Sequence, residues 1–576
     1  MRAPRGVGAL RKDEIQRQVD AVRAQRSELE NHIIDEYRAG YIGRREFIRR
    51  GAVVGMSLPL VGFLASACGS GDKDSGSGGT PATQEDVKVT PGGTFRSGLQ
   101  LPGSDLDPVI VNNQGALGTL GQSGEFLIYS DRDLTPVPRL AESWKPNADG
   151  SQWTFKIRQG VKFQNGDPMT SEDVAATFNL HADPDTGSNA LSAFTGVLSK
   201  GGAQATDEST VVFELEAPNG NFPFTTSSDN YNLIILPKGF DPASWSKTFM
   251  GTGPWKMEKY TPNVGVTYTK NPDYWDKSRQ PLPDRNEIKY YEQEDAAILG
   301  MQGGEVDLLA QFSAVNGKAL LTDPNINVIE LRAAQHRQLH MRTDKEPFND
   351  KRVRQAVALL LNRDNIVKGL LEEKADYGND SPMAPVYKTT DKSVPQRKQD
   401  VEKAKALLAE AGKENFSVEL RTWRVFEVPQ YAALIQNDLK AAGINVKLNI
   451  TDAATYYGDA VYGKSPWLDS TFGITEYGHR GAPNVYLGAP LKSDGTWNSA
   501  HFKNKEYDAL VTEYVAALDL QAQRTASKKI QEMLLDEVPI VFSYFYFYLT
   551  ATKPTVGGMA VSAMGQVDVS QAGQKA

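Results

Sequence analysis

A single thiol stands at the end of an apolar segment near the start of the chain. Cys68 is the only cysteine among the 576 residues, and it directly follows the apolar run 51–67. A thiol can be acylated, and each buried CH₂ group of a lipid chain contributes about 0.8 kcal/mol to membrane binding, so several chains hold a protein firmly. With no second cysteine, no disulfide can form within the chain, which is long enough to rely on its core for stability. We therefore expect lipid attachment at Cys68.

The residues before Cys68 are typical of an export signal. The run 51–67 is shorter than the roughly 20 residues that a membrane-spanning helix needs, and it is preceded by arginines on its N-terminal side. Arg44, Arg45 and Phe47 resemble the twin-arginine signal, although Gly43 stands where a serine or threonine is usual. We expect export by the twin-arginine route, and an ordinary basic signal region is the alternative.

The stretch LASAC, residues 64–68, resembles the lipobox of bacterial lipoproteins, with its leucine one position further from the cysteine than usual. Plain cleavage that releases a soluble product is the alternative. A Gly/Ser-rich, charged stretch follows, and such a composition cannot bury a core. We expect residues 1–67 to form the signal region and 68–87 a flexible, lipid-anchored linker, which places the protein in the periplasm or on the cell surface.

Charge and motifs exclude several classes of function. After Cys68 the chain carries 63 acidic and 51 basic residues, and no basic stripe is interleaved with aromatic residues, which argues against a nucleic-acid partner. Of the six histidines only His336 and His340 are close in sequence, with no cysteine partner and no HExxH motif. A G-x-S-x-G motif and a Rossmann glycine pattern are also missing from the sequence. We therefore expect no catalytic residue, no metal and no cofactor.

The elements that follow alternate between strands and helices. Residues 153–158 and 211–216 alternate apolar and polar side chains, as half-buried strands do. Thr170 and Asp173 have the spacing of a capping box, and Asp400 can cap a helix that stops at Gly412. A helix over 432–442, a stop at Gly443 and an alternating strand over 444–450 complete the pattern. This order predicts an α/β chain of two or more lobes.

Seven stretches, in one order between about residues 93 and 557, resemble the solute-binding proteins of peptide, nickel and opine ABC importers, family 5. They include LTPVPRLAESW, the long segment GSQWTFKIRQGVKFQNGDPMTSEDVAATF and PFNDKRVRQAVALLLNRDNI, and they cover 134–144, 150–178, 251–257, 271–275, 303–307, 347–366 and 401–412. Each stretch alone is a weak signal. Their conserved order makes the resemblance specific.

The resemblance implies a two-lobed α/β fold of the periplasmic-binding-protein type II kind, with the ligand in the cleft between the lobes. Lobe one would comprise 88–333 and 535–570, with an inserted subdomain over about 127–240, and lobe two would comprise 334–534. The chain would cross between the lobes near Leu331–Met341 and near Pro539–Phe545. His336 and His340 would then lie on an extended strand, where i, i+4 residues do not form a metal-binding pair.

The resemblance also implies a function. A protein of this kind is an extracytoplasmic receptor that captures a peptide-like or other small polar solute and delivers it to membrane permease subunits with their ATPases. We expect a monomer whose closed form is what the permease recognises. An oligosaccharide, an opine or a metal chelate are alternative solutes, and a sensor that is not coupled to transport is the alternative role.

Peptide-binding members of the family clamp the peptide amino group with an acidic residue in lobe two. In this chain the corresponding stretch is 474–483, where Tyr477 takes the tryptophan-like position and His479 and Arg480 stand where an acid is expected. A cationic clamp suits a carboxylate or phosphate, which a guanidinium binds with two hydrogen bonds. Glu476 could still bind an amine. A rim ion pair between Arg480 and an acid such as Glu476 is the alternative.

Further candidates come from the strand ends of both lobes. Trp423 and Arg424 follow a strand of lobe two, with simple packing as the alternative for Trp423. Phe95 and Ser97 lie on the first strand of lobe one, and Asn230 lies in a polar loop. Aromatic walls with a few polar groups are typical of small-molecule clefts.

Overall fold

The structure is a computed structural model that describes residues 87–103, 105–458, 460–562, 564 and 566–576. The predicted signal residues Arg44, Arg45 and Phe47, the predicted lipidation site Cys68, and the linker up to residue 86 lie outside the described residues. They therefore stay predictions.

The strands, numbered in chain order, alternate with helices through most of the described chain. Before the first crossing between the lobes they are β1 Val89–Thr90, β2 Thr94–Gln100, β3 Ile128–Ser130, β4 Pro136–Pro138, β5 Ala141–Pro146, β6 Gln152–Ile157, β7 Ala203–Asp207, β8 Thr210–Glu214, β9 Trp255–Thr261, β10 Gly265–Lys270, β11 Arg285–Tyr291, β12 Leu308–Phe312 and β13 Asn327–Leu331. After it they are β14 His336–Met341, β15 Ala375–Tyr377, β16 Phe416–Trp423, β17 Ile444–Thr451, β18 Phe472–Tyr477, β19 Ile540–Tyr546, β20 Tyr548–Thr552, β21 Val556–Gly557, β22 Ala560–Val561, β23 Val567–Asp568 and β24 Gly573–Lys575.

The helices are numbered in the same way. They are α1 Gln114–Ser123, α2 Ser171–Ala182, α3 Leu191–Phe194, α4 Phe222–Thr225, α5 Trp245–Thr248, α6 Glu294–Gln302, α7 Lys318–Thr322, α8 Lys351–Leu360, α9 Val401–Glu410, α10 Val428–Lys440, α11 Ala453–Tyr457, α12 Pro466–Asp469, α13 Asn484–Gly488, α14 Lys505–Ala516 and α15 Leu520–Glu537. Short 3₁₀ turns cover Pro184–Thr186, Pro242–Ser244 and Lys277–Arg279, and a π-helical turn covers Asn365–Leu370.

Two large sheets form the centres of two lobes. In lobe one, seven strands lie in the order β13-β20-β12-β2-β11-β10-β9, and β2 runs parallel to both β11 and β12. In lobe two, six strands lie in the order β15-β19-β14-β18-β16-β17, and β16 runs parallel to β17 and β18. Parallel neighbours need helical crossovers, which explains why helices and strands alternate along the sequence.

The chain crosses between the lobes twice. β13 pairs with β20 in the first sheet, while β14 pairs with β18 and β19 in the second, so the first crossing lies within 332–335, inside the predicted interval. On the return, β19 still belongs to the second sheet and β20 belongs to the first. The return crossing is therefore at Phe547. The predicted crossing at Pro539–Phe545 and the predicted boundary at 535 were placed too early, because 540–546 complete the sheet of lobe two.

The predicted inserted subdomain, 127–240, contains a sheet of its own. Its strands lie in the order β5-β6-β8-β7. Phe155, Phe178, Phe213 and Phe222 are buried between this sheet and its helices, with ring centroids 4.9–6.2 Å apart. These rings join the same apolar core as the strands of lobe one, so the subdomain and that lobe share one core.

The local signals in the sequence correspond to real element boundaries. Thr170 and Asp173 form the capping box of α2, and the Asp400 side chain accepts a hydrogen bond from Lys403 N at 2.9 Å at the start of α9. Gly443 has a φ of 82° between α10 and β17, a value that favours glycine. These local predictions are confirmed.

His336 and His340 lie on β14, in extended backbone. His336 Nδ1 lies 2.7 Å from Ala334 O, and His340 Nε2 lies 3.1 Å from Ser470 O. Burial lowers the pKa of His336 to about 3 and that of His340 to about 4. Both rings are therefore neutral packing groups at neutral pH. Within the residues that the structure covers, none of the helices is long and apolar enough to cross a membrane.

Candidate functional site

A cavity of about 300 Å³ lies between the two lobes. Lobe one contributes the end of β2, the start of α1 and the loops after β11 and β12, and lobe two contributes Lys374 and Val425–Glu427. Tyr546 and Phe547, where the chain returns to lobe one, also line the cavity. A molecule bound here would contact both lobes and the connection between them.

The sheet topology explains why these loops meet. Gln100 at the end of β2 pairs with Tyr291 at the end of the parallel strand β11, so the loops that follow both strands leave the sheet at one edge. In lobe two, β16 is parallel to β17 and β18, and the segment 425–427 follows its carboxyl end. Ligands of parallel α/β sheets bind at the carboxyl ends of strands, and this cavity lies at such strand ends in both lobes.

Aromatic side chains form part of the cavity wall. Phe426 is 37% exposed and has a φ of 39°, in the left-handed region that a bulky residue seldom adopts. Phe547 lines the same cavity, and its ring lies 5.8 Å from the Arg332 guanidinium carbon. An exposed aromatic side chain held in a strained conformation inside a cleft is a good surface for an apolar part of a solute.

A buried arginine connects the cavity to the sheet of lobe two. Arg337 on β14 donates from Nε and Nη2 to the two carboxylate oxygens of Glu427 at 2.8 and 3.1 Å, and from Nη1 to Tyr546 Oη at 2.8 Å. Arg337 Nη1 also pairs with Glu476, which lies opposite it in the strand register. Burial opposes the charge of Arg337, but the carboxylate of Glu427 and its neighbours hold its pKa well above the ordinary value. This network fixes Glu427 and Tyr546 where they line the cavity.

The family model for bacterial extracellular solute-binding proteins, family 5 (middle), matches residues 135–482. The chain belongs to this family.

Individual relatives agree with this assignment. Dipeptide-binding protein DppE from Bacillus subtilis (strain 168) is 26% identical over 91% of this chain and 98% of its own length. Heme-binding protein A from Haemophilus influenzae (strain ATCC 51907 / DSM 11121 / KW20 / Rd) is 25% identical over 88% of this chain and 97% of its own length. The crystal structure of the ABC transporter substrate-binding protein CtaP from Listeria monocytogenes matches with a TM-score of 0.74 and 21% identity, covering 84% of this chain and all of its own. The two-lobed α/β fold predicted from the sequence is confirmed.

In this solute-binding protein the nine residues predicted to bind the ligand do not line the interlobe cavity. His479 is buried, and its Nδ1 accepts a hydrogen bond from Ala334 N–H at 2.9 Å at the first crossing. Burial lowers the pKa of His479 to about 3, so its ring is neutral at neutral pH. The structure therefore contradicts a cationic clamp that includes His479.

Arg480 lies at a second contact between the lobes and is not among the residues that line the cavity. Its guanidinium carbon lies 5.4 Å from the centre of the Tyr231 ring, and Nη1 donates to His479 O at 2.8 Å. Arg480 and Asn230 line a small cavity of about 40 Å³ between lobe two and the inserted subdomain. The neighbouring Asp229 is buried, which raises the pKa of its carboxyl to about 6.

Two further residues of the predicted clamp have contacts within the protein. Glu476 pairs with Arg337, not with Arg480. Tyr477 stacks on the ring of His336 with centroids 5.8 Å apart, and burial raises the pKa of its phenol. The alternative of a rim pair between Arg480 and Glu476 is therefore wrong, and Asp229 is instead an acid whose charge acts on Arg480.

The remaining candidates on β2 and after β16 precede cavity-lining residues in the sequence but do not line the cavity themselves. Trp423 stacks on Tyr456 with centroids 5.4 Å apart and is buried, which fits the packing alternative. Arg424 is exposed. Phe95 and Ser97 are buried within β2, whereas Leu99 and Gln100 at its end reach the cavity. Sequence reasoning selected the right strands and missed the residues that follow their carboxyl ends, which the strand-edge rule could have identified.

Proposed function

We propose that the protein is the extracytoplasmic solute-binding receptor of an ABC importer and that a peptide-like solute binds in the interlobe cavity. The observation that carries the proposal is the cavity of about 300 Å³ with walls from both lobes and from Tyr546 and Phe547. This volume is at the lower end of the range for small-molecule pockets, roughly 300–1,000 Å³. It therefore favours a solute of dipeptide size over a tetrapyrrole or a long oligosaccharide, in line with the relative named for dipeptide binding.

The architecture supports a mechanism in which the solute holds the lobes together. Among the described residues, the chain passes between the two large sheets only at 332–335 and at Phe547. A solute that contacts both walls stabilises the closed form only by its preference for that form over the open one. In this proposal the closed form delivers the solute to the permease, the receptor acts as a monomer, and it catalyses no reaction.

The proposal places the receptor outside the cytoplasm on a lipid anchor. It is supported by the twin-arginine-like Arg44, Arg45 and Phe47 and by the lipobox-like residues before Cys68. Labelling of the exported protein with a fatty-acid probe tests the anchor, and a Cys68→Ser variant should lose both the label and membrane retention.

The binding function is tested by identifying the solute. Native mass spectrometry of the purified protein should show one retained molecule, and titration calorimetry with a panel of dipeptides should give a stoichiometry near one to one. Small-angle scattering should show compaction when the tightest dipeptide is added. The proposal is overturned if only non-peptide solutes raise the melting temperature, or if the dipeptides that raise it leave the scattering profile unchanged.

A further inference from the structure

We propose that the solute carries a cationic group, an ammonium or a guanidinium, and that Glu292 binds it. This inference rests on the proposed function, because it names the charge of the solute that the interlobe cavity receives. It also reverses the charge preference that the sequence of the 474–483 stretch implied.

Four charged residues line the cavity: Glu292, Glu294, Glu427 and Lys374. Three of them are carboxylates, so the wall carries a formal surplus of two negative charges. A water-excluding cleft lined by one sign of charge concentrates ligands of the opposite sign. The surplus alone favours a cation, and the contacts of each group show where that cation can bind.

Two of the carboxylates already accept hydrogen bonds from other side chains of the protein. Glu294 accepts hydrogen bonds from the Ser313 backbone N–H, from Ser313 Oγ at 3.1 Å and from Asn316 Nδ2 at 2.6 Å, which hold the loop after β12. Glu427 accepts both hydrogen bonds from Arg337 and one from Tyr544 Oη at 2.7 Å. Their lone pairs are largely used, so neither is the first choice for a solute.

The one cation of the wall is also paired. Lys374 Nζ lies 2.6 Å from Glu330 Oε1, an ion pair that joins lobe two to β13 of lobe one. Its charge is therefore already compensated within the protein. An anionic solute would have to compete with Glu330 for this ammonium group.

Glu292 is different. It is exposed, and the described residues give it neither an ion pair nor a hydrogen bond, although it follows β11 at the edge where the strands of lobe one end. Gln114 lines the same cavity, and its buried Oε1 accepts no hydrogen bond from the described residues. A free carboxylate and a free amide oxygen on one wall are acceptors that a cationic N–H donor satisfies.

The aromatic side chains of the cavity suit the same chemistry. A cation over an aromatic face within about 6 Å gains further attraction, and the methylene groups of a lysine or arginine chain pack well against rings. Phe426 and Phe547 supply such faces in the cavity. The class of solute that fits is therefore a small peptide with either a free amino terminus or a basic side chain facing Glu292.

The test combines one substitution with four peptides. The full chain with Glu292→Gln is compared with the wild type for alanyl-lysine, alanyl-norleucine and the N-acetylated form of each, by titration calorimetry. Asp295→Asn is the matched control, because Asp295 is an exposed carboxylate three residues away on α6 that does not line the cavity. Equal melting temperatures of the three proteins check that the substitutions leave the fold intact.

We expect Glu292→Gln to weaken binding at least tenfold for the peptides that carry the recognised cation, while Asp295→Asn binds like the wild type. If the cation is the lysine side chain, the loss appears in both lysine peptides. If it is the amino terminus, the loss appears in both unacetylated peptides. Higher salt should also weaken the wild type more than the Glu292→Gln variant, since screening acts on a charge pair.

Three results overturn the inference in distinguishable ways. If the wild type binds the peptides and Glu292→Gln binds all four with unchanged affinity, Glu292 is not the recognition residue, while the peptide-binding function stands. If the wild type binds the acetylated norleucine peptide as tightly as the charged ones, the solute needs no cation. If none of the four peptides binds, the inference falls, and the dipeptide panel with native mass spectrometry decides whether the peptide-binding function stands.

Discussion

The two lobes meet in two places that differ in the space left between the surfaces and in the hydrogen bonds that join them. At the cavity, Glu292 and Gln114 have acceptors without partners among the described residues, and about 300 Å³ is empty. At the distal contact, which we define as 219–231 of the inserted subdomain against 480–484 and 515–523 of lobe two, hydrogen bonds join the surfaces, although Asn219 Nδ2 and Asp229 Oδ2 have no partner among the described residues. We propose that the first contact receives the solute and that the second holds the lobes together.

The distal contact is closed by hydrogen bonds between the lobes. Asn221 donates to Asn484 Oδ1 at 2.8 Å and accepts from Gln523 Nε2 at 3.0 Å, while Gly220 N donates to Val515 O at 2.8 Å. Only about 40 Å³ is left between the surfaces. Arg480 lies at this contact, so its charge alone does not identify it as part of the proposed site. Both contacts contain unpaired buried atoms, so the larger cavity is what distinguishes the proposed site from the distal contact.

The largest effect should follow from breaking the network behind the cavity. An Arg337→Met substitution leaves Glu427 buried without its cation, and loss of one partner of a buried ion pair typically costs about 3–5 kcal/mol. We expect the free energy of unfolding to fall by that amount in urea titrations. Arg352→Met is the matched control on an exposed pair with Asp350, for which we expect a change of at most about 1 kcal/mol. Similar losses in the two variants would show that the network does not stabilise lobe two.

A smaller effect is expected from the buried acid of the distal contact. Folding raises the pKa of Asp229 from 3.8 to about 6, mainly through burial, while Arg480 opposes the shift and Asp131 adds to it. The folded protein therefore binds more protons than the unfolded chain between these values, so stability falls as the pH rises from about 4 to about 6 and stays lower above that. A shift of about two units corresponds to about 3 kcal/mol.

Thermal unfolding against pH measures this contribution. An Asp229→Asn variant should lack it and should gain stability relative to the wild type as the pH rises through this window. Asp133→Asn, an exposed acid of the same subdomain, should keep the wild-type profile. If the profiles of stability against pH are parallel for Asp229→Asn and Asp133→Asn, Asp229 is not the source of the pH dependence.

The fit of the distal contact can be broken by one methyl group. A Cβ at Gly481 would lie 1.8 Å from Asp229 Oδ2. A Cβ at Gly478 would have no heavy atom within 4 Å apart from those of its chain neighbours. Overpacking costs about 1–3 kcal/mol, and opening the lobes would relieve it. We expect Gly481→Ala to bind the solute about five- to 150-fold more weakly and to give a more open scattering profile. If Gly481→Ala and Gly478→Ala bind alike, closure does not depend on this contact.

Local signals in the sequence predicted the fold better than the site. The capping box of Thr170 and Asp173 and the stop at Gly443 depend on neighbours in sequence, and both are present in the structure. The cavity depends on which strands are parallel neighbours, because the pairing of β2 with β11 brings Gln100 and Glu292 to one edge from distant parts of the chain. No local pattern contains that information. Charge and aromatic type then favoured Arg480 and Trp423, whose partners are internal.

We expect the smallest effect for Arg480→Ala. How its loss of affinity depends on the charge of the solute is more informative than the size of that loss. If Arg480 acts only through the distal contact with Tyr231, an Arg480→Ala variant loses a cation–π contact of about 0.5–1 kcal/mol and weakens closure slightly. Affinity should then fall no more than about fivefold, and by the same factor for charged and neutral peptides, because every solute needs the closed form. Glu292→Gln, in contrast, should discriminate among solutes by charge. Calorimetry of both variants with the four peptides separates closure from recognition: a loss for Arg480→Ala that depends on a solute carboxylate would place Arg480 at the site and remove the distinction between the two contacts.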